Sequence, residues 1–246
     1  MSDLGLAFRQ IRYENRVFWR NPPAAFFTFA FPLLFLLIFS VIFGNEAAQF
    51  FTPAIIVFGV VTATFTNLAM NITFARDQGV LKRVRGTPLP SWAYLAGRIG
   101  HAIAVTLLLV VIVAAFGAIL YGVPVPWDAL PAIILLLAVA AAAFSALGLA
   151  LAGVMPNADA APAIVNAVVL PVLFISNVFF QMDNAPDWLN TVSRLLPVRH
   201  FADAMIDLYQ HGADAGVPWT SIGVIALWGL AGVAMALRFF RWEPRR

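Results

Sequence analysis

LPAIILLLAVAAAAFSALGLALAGVM, residues 130–155, runs for 26 positions without one ionisable side chain. At 1.5 Å of rise per residue such a helix outreaches the ~30 Å hydrocarbon core of a bilayer, which needs about 20 apolar residues. Five more stretches share the property: Pro23–Gly44, Phe51–Phe74, Ile99–Tyr121, Ala160–Phe180 and Val217–Phe240. Within all six, the only Asp, Glu, Lys, Arg or His residues are His101 and Arg238, each near an end. A chain that is 62% hydrophobic and 11% charged, with mean hydropathy +0.87, is no ordinary soluble domain. The first run is too long for a signal-peptide core and no small-residue cleavage site follows it, so it reads as a retained span. The expected fold is an all-α polytopic membrane protein with six transmembrane helices, residues 1–246 forming a single transmembrane domain.

Basic residues set the orientation. Arg9, Arg12, Arg16 and Arg20 precede the first span. Arg76, Lys82, Arg83, Arg85 and Arg98 occupy the loop after the second, and Arg238, Arg241, Arg245 and Arg246 the tail. Six alternating helices place all of these on one side and leave Arg194 and Arg199 on the other, with Glu46, Asp128, Asp183, Asp187, Asp203, Asp207 and Asp214. Both termini are therefore expected in the cytoplasm. The net charge of +3 reads as headgroup contact rather than nucleic-acid binding. The absence of cysteine excludes disulfides, thiolate metal sites and thiol catalysis.

Three segments lie outside the spans. Residues 3–20 read as an interfacial helix with an apolar stripe of Leu4, Phe8, Ile11 and Phe18, ended by Asn21-Pro22-Pro23; it is either a topogenic anchor or a lever on span one. Residues 75–98 contain a short basic helix from Gln78 to Arg85, a Gly-Thr-Pro turn, and Ser91 as N-cap of the helix entering span three. Headgroup anchoring and docking onto a partner suit this loop equally. Residues 181–216 divide at Pro197 into two amphipathic halves, each too short to span: interfacial padding, or an outer gate over a cavity that would involve Trp188, Leu189, Leu196 and Pro197. Ala142, Ala146 and Ala150 permit close helix approach in span four, and Pro32, Pro162 and Pro171 are candidate kinks.

Polar residues at membrane depth number few: Thr62, Thr66, Asn67, Asn71 and Thr73 in span two, and Asn166, Ser176 and Asn177 in span five. Interhelical hydrogen bonding is their default role; Thr62, Thr66, Asn67, Asn71, Asn166, Ser176 and Asn177 are the candidates for lining a path. An ion-coupled transporter places titrating groups inside its bundle, and these spans hold none at depth. Metalloprotease and phosphate-loop motifs are missing too, so no catalytic residue, metal ligand or cofactor is assigned to this chain. A pump of this kind takes its work from another polypeptide. A passive channel or scaffold, detectable as nucleotide-independent flux, is one alternative; a membrane-embedded enzyme, detectable as turnover without nucleotide, is the other.

RDQGVLKRVRGTPL, Arg76 to Leu89, resembles the loop R-[ED]-x-G-[TV]-[LF]-x-R-[LV]-[RK]-x-T-P-[LV] of ABC-2-type exporter permeases. Leu170-Pro171, Asp187-Trp188-Leu189, Leu196-Pro197 and Asp203-Ala204-Met205 are similar to that family's later motifs, with daunorubicin-type drug-resistance permeases the nearest group. The resemblance implies a half-permease with an N-terminal interfacial helix, a coupling helix after span two and re-entrant extracytoplasmic helices before span six. It would work in a bacterial inner membrane beside an identical or homologous permease. Two ATP-binding cassette subunits would carry ATP and Mg. By position, Arg76, Asp77, Gln78, Gly79, Val80, Leu81, Lys82, Arg83, Val84, Arg85, Thr87 and Pro88 would form the coupling segment, with Gly79 to Arg85 docked in the ATPase groove. The cargo implied is a hydrophobic or amphipathic metabolite, lipid or glycolipid, with polysaccharide or haem as rivals. Gln78 departs from the usual Lys or Arg, the loop Pro156–Asp159 is short, and Ile175–Phe179 replaces glycine-rich wording.

Overall fold

The computed structural model describes residues 3–87, 89–180 and 185–240. Pro88, Asp183, Arg241, Arg245 and Arg246 lie outside that description, as do the side chains of Leu4, Arg85 and Ser91. The described chain is built of helices: α1 (Asp3–Trp19), α2 (Pro22–Phe43), α3 (Ala48–Val61), a π-helical turn (Thr62–Thr66), α4 (Asn67–Asp77), α5 (Val80–Arg85) and α6 (Ser91–Tyr121). After these come α7 (Leu130–Val154), α8 (Ala161–Phe174), α9 (Asp187–Ser193), α10 (Pro197–His211) and α11 (Trp219–Phe239).

Among the described residues, five continuous stretches are long and apolar enough to cross a membrane: α2, α3 through α4 with the short turn before them, α6, α7 with its leading turn, and α11. The fifth stretch in the sequence differs from expectation. Its helix, α8, has 14 residues and ends at Phe174 instead of Phe180. About 21 Å of helix falls short of the ~30 Å core. The reason is local: Pro171 lacks an N–H for the ladder, and Asn177 takes a left-handed φ of 60°, which no α-helix continues through.

Other boundaries follow from caps. Asn21 accepts the Ala24 N–H at 3.4 Å and Pro22 begins α2, so α1 and α2 meet at a sharp break. Gly79, at φ 71°, ends α4 and delays the basic helix to Val80. Pro90 holds the extended N-cap position of α6, so Ser91 is the first helical residue and not the cap. Pro162 stands in the first turn of α8, where it starts a helix without kinking it.

The span α3–α4 is the buried centre, with α2, α6, α7 and α10 around it. Phenylalanines hold its α3 half: Phe35, Phe39 and Phe58 surround Phe179, with ring centroids 5.5–6.0 Å from it. The most extensive helix pairing is α7 with α11. A Cβ added at Gly229 would sit 3.0 Å from Ala143 Cα, and one at Gly232 would sit 2.9 Å from Leu147 N. The close approach therefore passes through Ala143 and Ala146, whereas Ala142 is exposed. Across α7, Gly148 lies against the π turn; a Cβ there would meet Phe65 O at 2.8 Å.

Candidate functional site

The loop after α4 is anchored on one side and open on the other. Leu81 is fully buried among Ile72, Tyr94 and Leu149, with Val80 and Val84 half-buried beside it. Gln78, Lys82, Arg83, Gly86 and Thr87 are exposed. Arg76 is not among them. It is 2% exposed, and its guanidinium donates to Ala152 O at 2.9 Å and Met155 O at 2.7 Å, the last carbonyls of α7. A cation at a helix C-terminus satisfies orphan acceptors and the helix dipole together. Asp77 accepts the Ala158 N–H and lies 3.6 Å from Arg76 Nε. Residues 76–77 thus latch α4 to the α7–α8 turn. The sequence groups Arg76 and Leu81 with the docking residues; folding withdraws both from the surface.

Helix α1 is seated on the near end of α6. Gly97 and Gly100 leave room for the side chains of Gln10 and Ile11, which pack directly against the α6 backbone. The expected stripe is rotated: Phe8 is 72% exposed, and Glu14 is buried at the contact. Glu14 pairs with Arg98 at 3.1 Å and accepts from Gln10 at 2.8 Å, and Arg98 reaches Tyr94 Oη at 3.0 Å. Burial raises the Glu14 pKa; Arg98 and the Gln10 bond offset only part of that effect. A carboxyl raised in the folded state adds most stability below its unfolded pKa and loses it as pH climbs through the folded value. Glu14→Gln mimics the protonated form. The melting temperature of this variant minus that of the wild type should therefore be greater at about pH 7 than at about pH 4. A pH-independent difference in detergent melts would refute the assignment.

A cleft of about 600 Å³ opens between α1, α2, α4 and α6. Thr62, Asn67 and Asn71 line it, together with Arg98 and His101 from α6 and Phe27, Thr28 and Phe31 from α2. One π turn adds a residue to the helix and shifts everything after it around the axis. The other path candidates do not join this cleft. Thr66 is buried, Asn166 stands on the exposed face of α8, and Ser176 is fully buried. Asn177 donates to Asp203 at 2.8 Å in a separate depression beside α10, where Arg199 also pairs with Asp203 at 2.6 Å. The four gate candidates separate as well. Trp188 is 67% exposed on α9 and Leu189 is half-buried, while Leu196 and Pro197 border an apolar slot between α7, α8 and α11. Glu14 and the Gly97–Gly100 seat went unpredicted; the signal was a carboxylate inside an arginine-rich helix, opposite an arginine four residues past a tyrosine.

The sequence model for the ABC-2 type transporter matches residues 8–209, from α1 to the end of α10. The chain belongs to the ABC-2 type transporter family. Among relatives, the "probable multidrug ABC transporter permease YbhR" of Escherichia coli K12 is 23% identical over 193 residues, 77% of this chain and 52% of YbhR. The chain thus spans about half the length of that relative. The "daunorubicin resistance ABC transporter permease protein DrrB1" of Streptomyces coeruleorubidus is 29% identical over 226 residues, 85% of this chain and 77% of its own. The "inner membrane transport permease YadH" of Escherichia coli K12 is 25% identical over 194 residues, covering 74% and 73%. This ABC-2 chain is a multi-pass membrane protein whose relatives are transport permeases.

Proposed function

We propose that this chain is the membrane half of an ATP-driven exporter, carrying a hydrophobic or amphipathic molecule out of the cytoplasm or inner leaflet. Two such permeases, identical or homologous, pair above two ATP-binding subunits that hold ATP and Mg. The observation that carries the reading is the two-sided build of residues 76–87. Lys82 and Arg83 face outward, while Leu81, Arg76 and Asp77 tie the segment to α4, α6 and the α7–α8 turn. A push on the outer face is then delivered to three membrane helices. The seat of α1 on α6 favours a lever over a simple anchor, because an anchor needs no buried ion pair.

In this reading α8 and the residues after it complete a sixth crossing, α9 and α10 dip in from the outer side, and both termini lie in the cytoplasm of a bacterial cell. The amphipathic cleft suits the cargo class, since amides and hydroxyls share its lining with phenylalanines. Asn166, on the open face of α8, points to a pathway shared with the second permease. Co-expression with candidate ATP-binding subunits tests the docking face. Lys82→Glu with Arg83→Glu should lower the recovered complex by about tenfold or more, since like charge and lost pairing together exceed 1.4 kcal/mol. Full assembly and transport by that variant would overturn the proposal. Uphill transport without nucleotide would do the same.

A further inference from the structure

The slot between α7, α8 and α11 is separate from both the docking face and the cleft. It holds about 380 Å³, and every residue lining it is apolar. An apolar cavity of about 150 Å³ already binds benzene, so this one has room for a longer ligand. Its shape is decided by its walls. Along α7 the lining runs from Phe144 to Val154, and along α11 from Trp228 to Phe239. Ten or eleven residues of helix amount to about 15–17 Å. That is the depth of one leaflet, half of the ~30 Å core. The slot begins at the helix ends beside Arg76 and stops near mid-helix, where Leu196 and Pro197 close it. Trp228 fixes that closed end by donating its indole N–H to Leu195 O at 2.9 Å.

The slot is also open along its side. Val154, Val168 and Phe239 are each 43% exposed and form its rim, and α8 packs on α4, the π turn and α10 more than on α11. In a bilayer the surrounding medium is hydrocarbon, and an unfilled groove of this size forfeits dispersion contacts along its length. A polar cargo finds no partner there, and a compact ligand leaves most of the length empty. A straight alkyl chain fills it.

We propose that this slot is a binding site for one acyl chain of a phospholipid drawn from the leaflet on the basic side. The chain lies parallel to α7 and α11 and wedges α8 away from them. Its head stays at the interface near the Arg76 end, and the tail stops against Leu196 and Pro197.

The full chain is reconstituted into vesicles of phosphatidylethanolamine and phosphatidylglycerol containing a phospholipid with a mid-chain diazirine. Irradiation and peptide mapping then locate the tail. Wild type should be labelled at Leu147–Leu151 and Val168–Val172. Ala150→Phe, which fills the slot, should lower that labelling by about tenfold, the effect of 1.4 kcal/mol of lost tail binding. Labelling at the outward Ile119 and Leu237 should not change. Val172→Phe serves the same purpose if Ala150→Phe does not accumulate. Slot labelling that persists in the filled variants, or its absence from wild type, overturns the proposal. Since the chain has no cysteine of its own, Val168→Cys adds a clean control. A disulfide between copies together with an unlabelled slot would show that protein covers it, which also overturns the proposal.

Discussion

Arg76→Ala should lose about 3–5 kcal/mol of stability, the cost of removing one partner from a buried charged hydrogen-bond set. The two bonds to Ala152 O and Met155 O disappear, and both carbonyls stay in place with no donor. For a chain of this size the loss corresponds to a melting temperature lower by about 10 °C. Tryptophan fluorescence or circular dichroism is the appropriate readout, because thiol dyes find no cysteine. Arg76→Lys should fall between the two, since an ammonium keeps the charge but not the fork that spans both carbonyls. Lys82 and Arg83 are unaltered in either variant, so a partner ATPase should still bind the surviving protein while transport per ATP hydrolysed falls. An Arg76→Ala protein that melts with the wild type would remove the latch from the account.

Gly232→Leu should prevent accumulation of folded protein, and Gly232→Ala should cost about 1–3 kcal/mol. The first atoms a new Cβ would meet are Leu147 N at 2.9 Å and Ala146 C at 3.0 Å. These are backbone atoms, so relief requires α7 and α11 to separate along their whole contact. The ~1 kcal/mol that alanine gains over glycine in helix propensity does not compensate. Gly223, on the same helix, has nothing within 4 Å of its notional Cβ, and Gly223→Ala should be neutral or mildly stabilising. Equal melts for the two alanine variants would show that the α7–α11 approach is looser than described.

The spans were legible because a bilayer imposes a length and a composition that few other constraints imitate. The short basic helix α5 was legible because Gly79 and Gly86 bracket its basic residues. Burial in the loop around it was not. An arginine in a basic stretch reads as solvated, and the acceptors that claim Arg76 are 76 and 79 positions away. The early end of α8 was hidden for a related reason. Residues 175–180 remain apolar enough to extend a hydropathy window, while one left-handed asparagine stops the helix. Asn67 and Asn71 share a face by simple periodicity, and they do line the same cleft. Thr66, one residue before Asn67, does not join them.

The π turn has one more consequence. Val61 and Phe65 border the apolar slot, and Thr62, Ala63 and Asn67 border the amphipathic cleft. A single thickness of backbone is thus a party wall between two rooms. Linkage makes any conversation through it symmetrical: by whatever factor a tail alters the hold on a guest next door, that guest alters the hold on the tail. On the proposed occupants, the bilayer's acyl composition becomes a variable in the affinity for cargo.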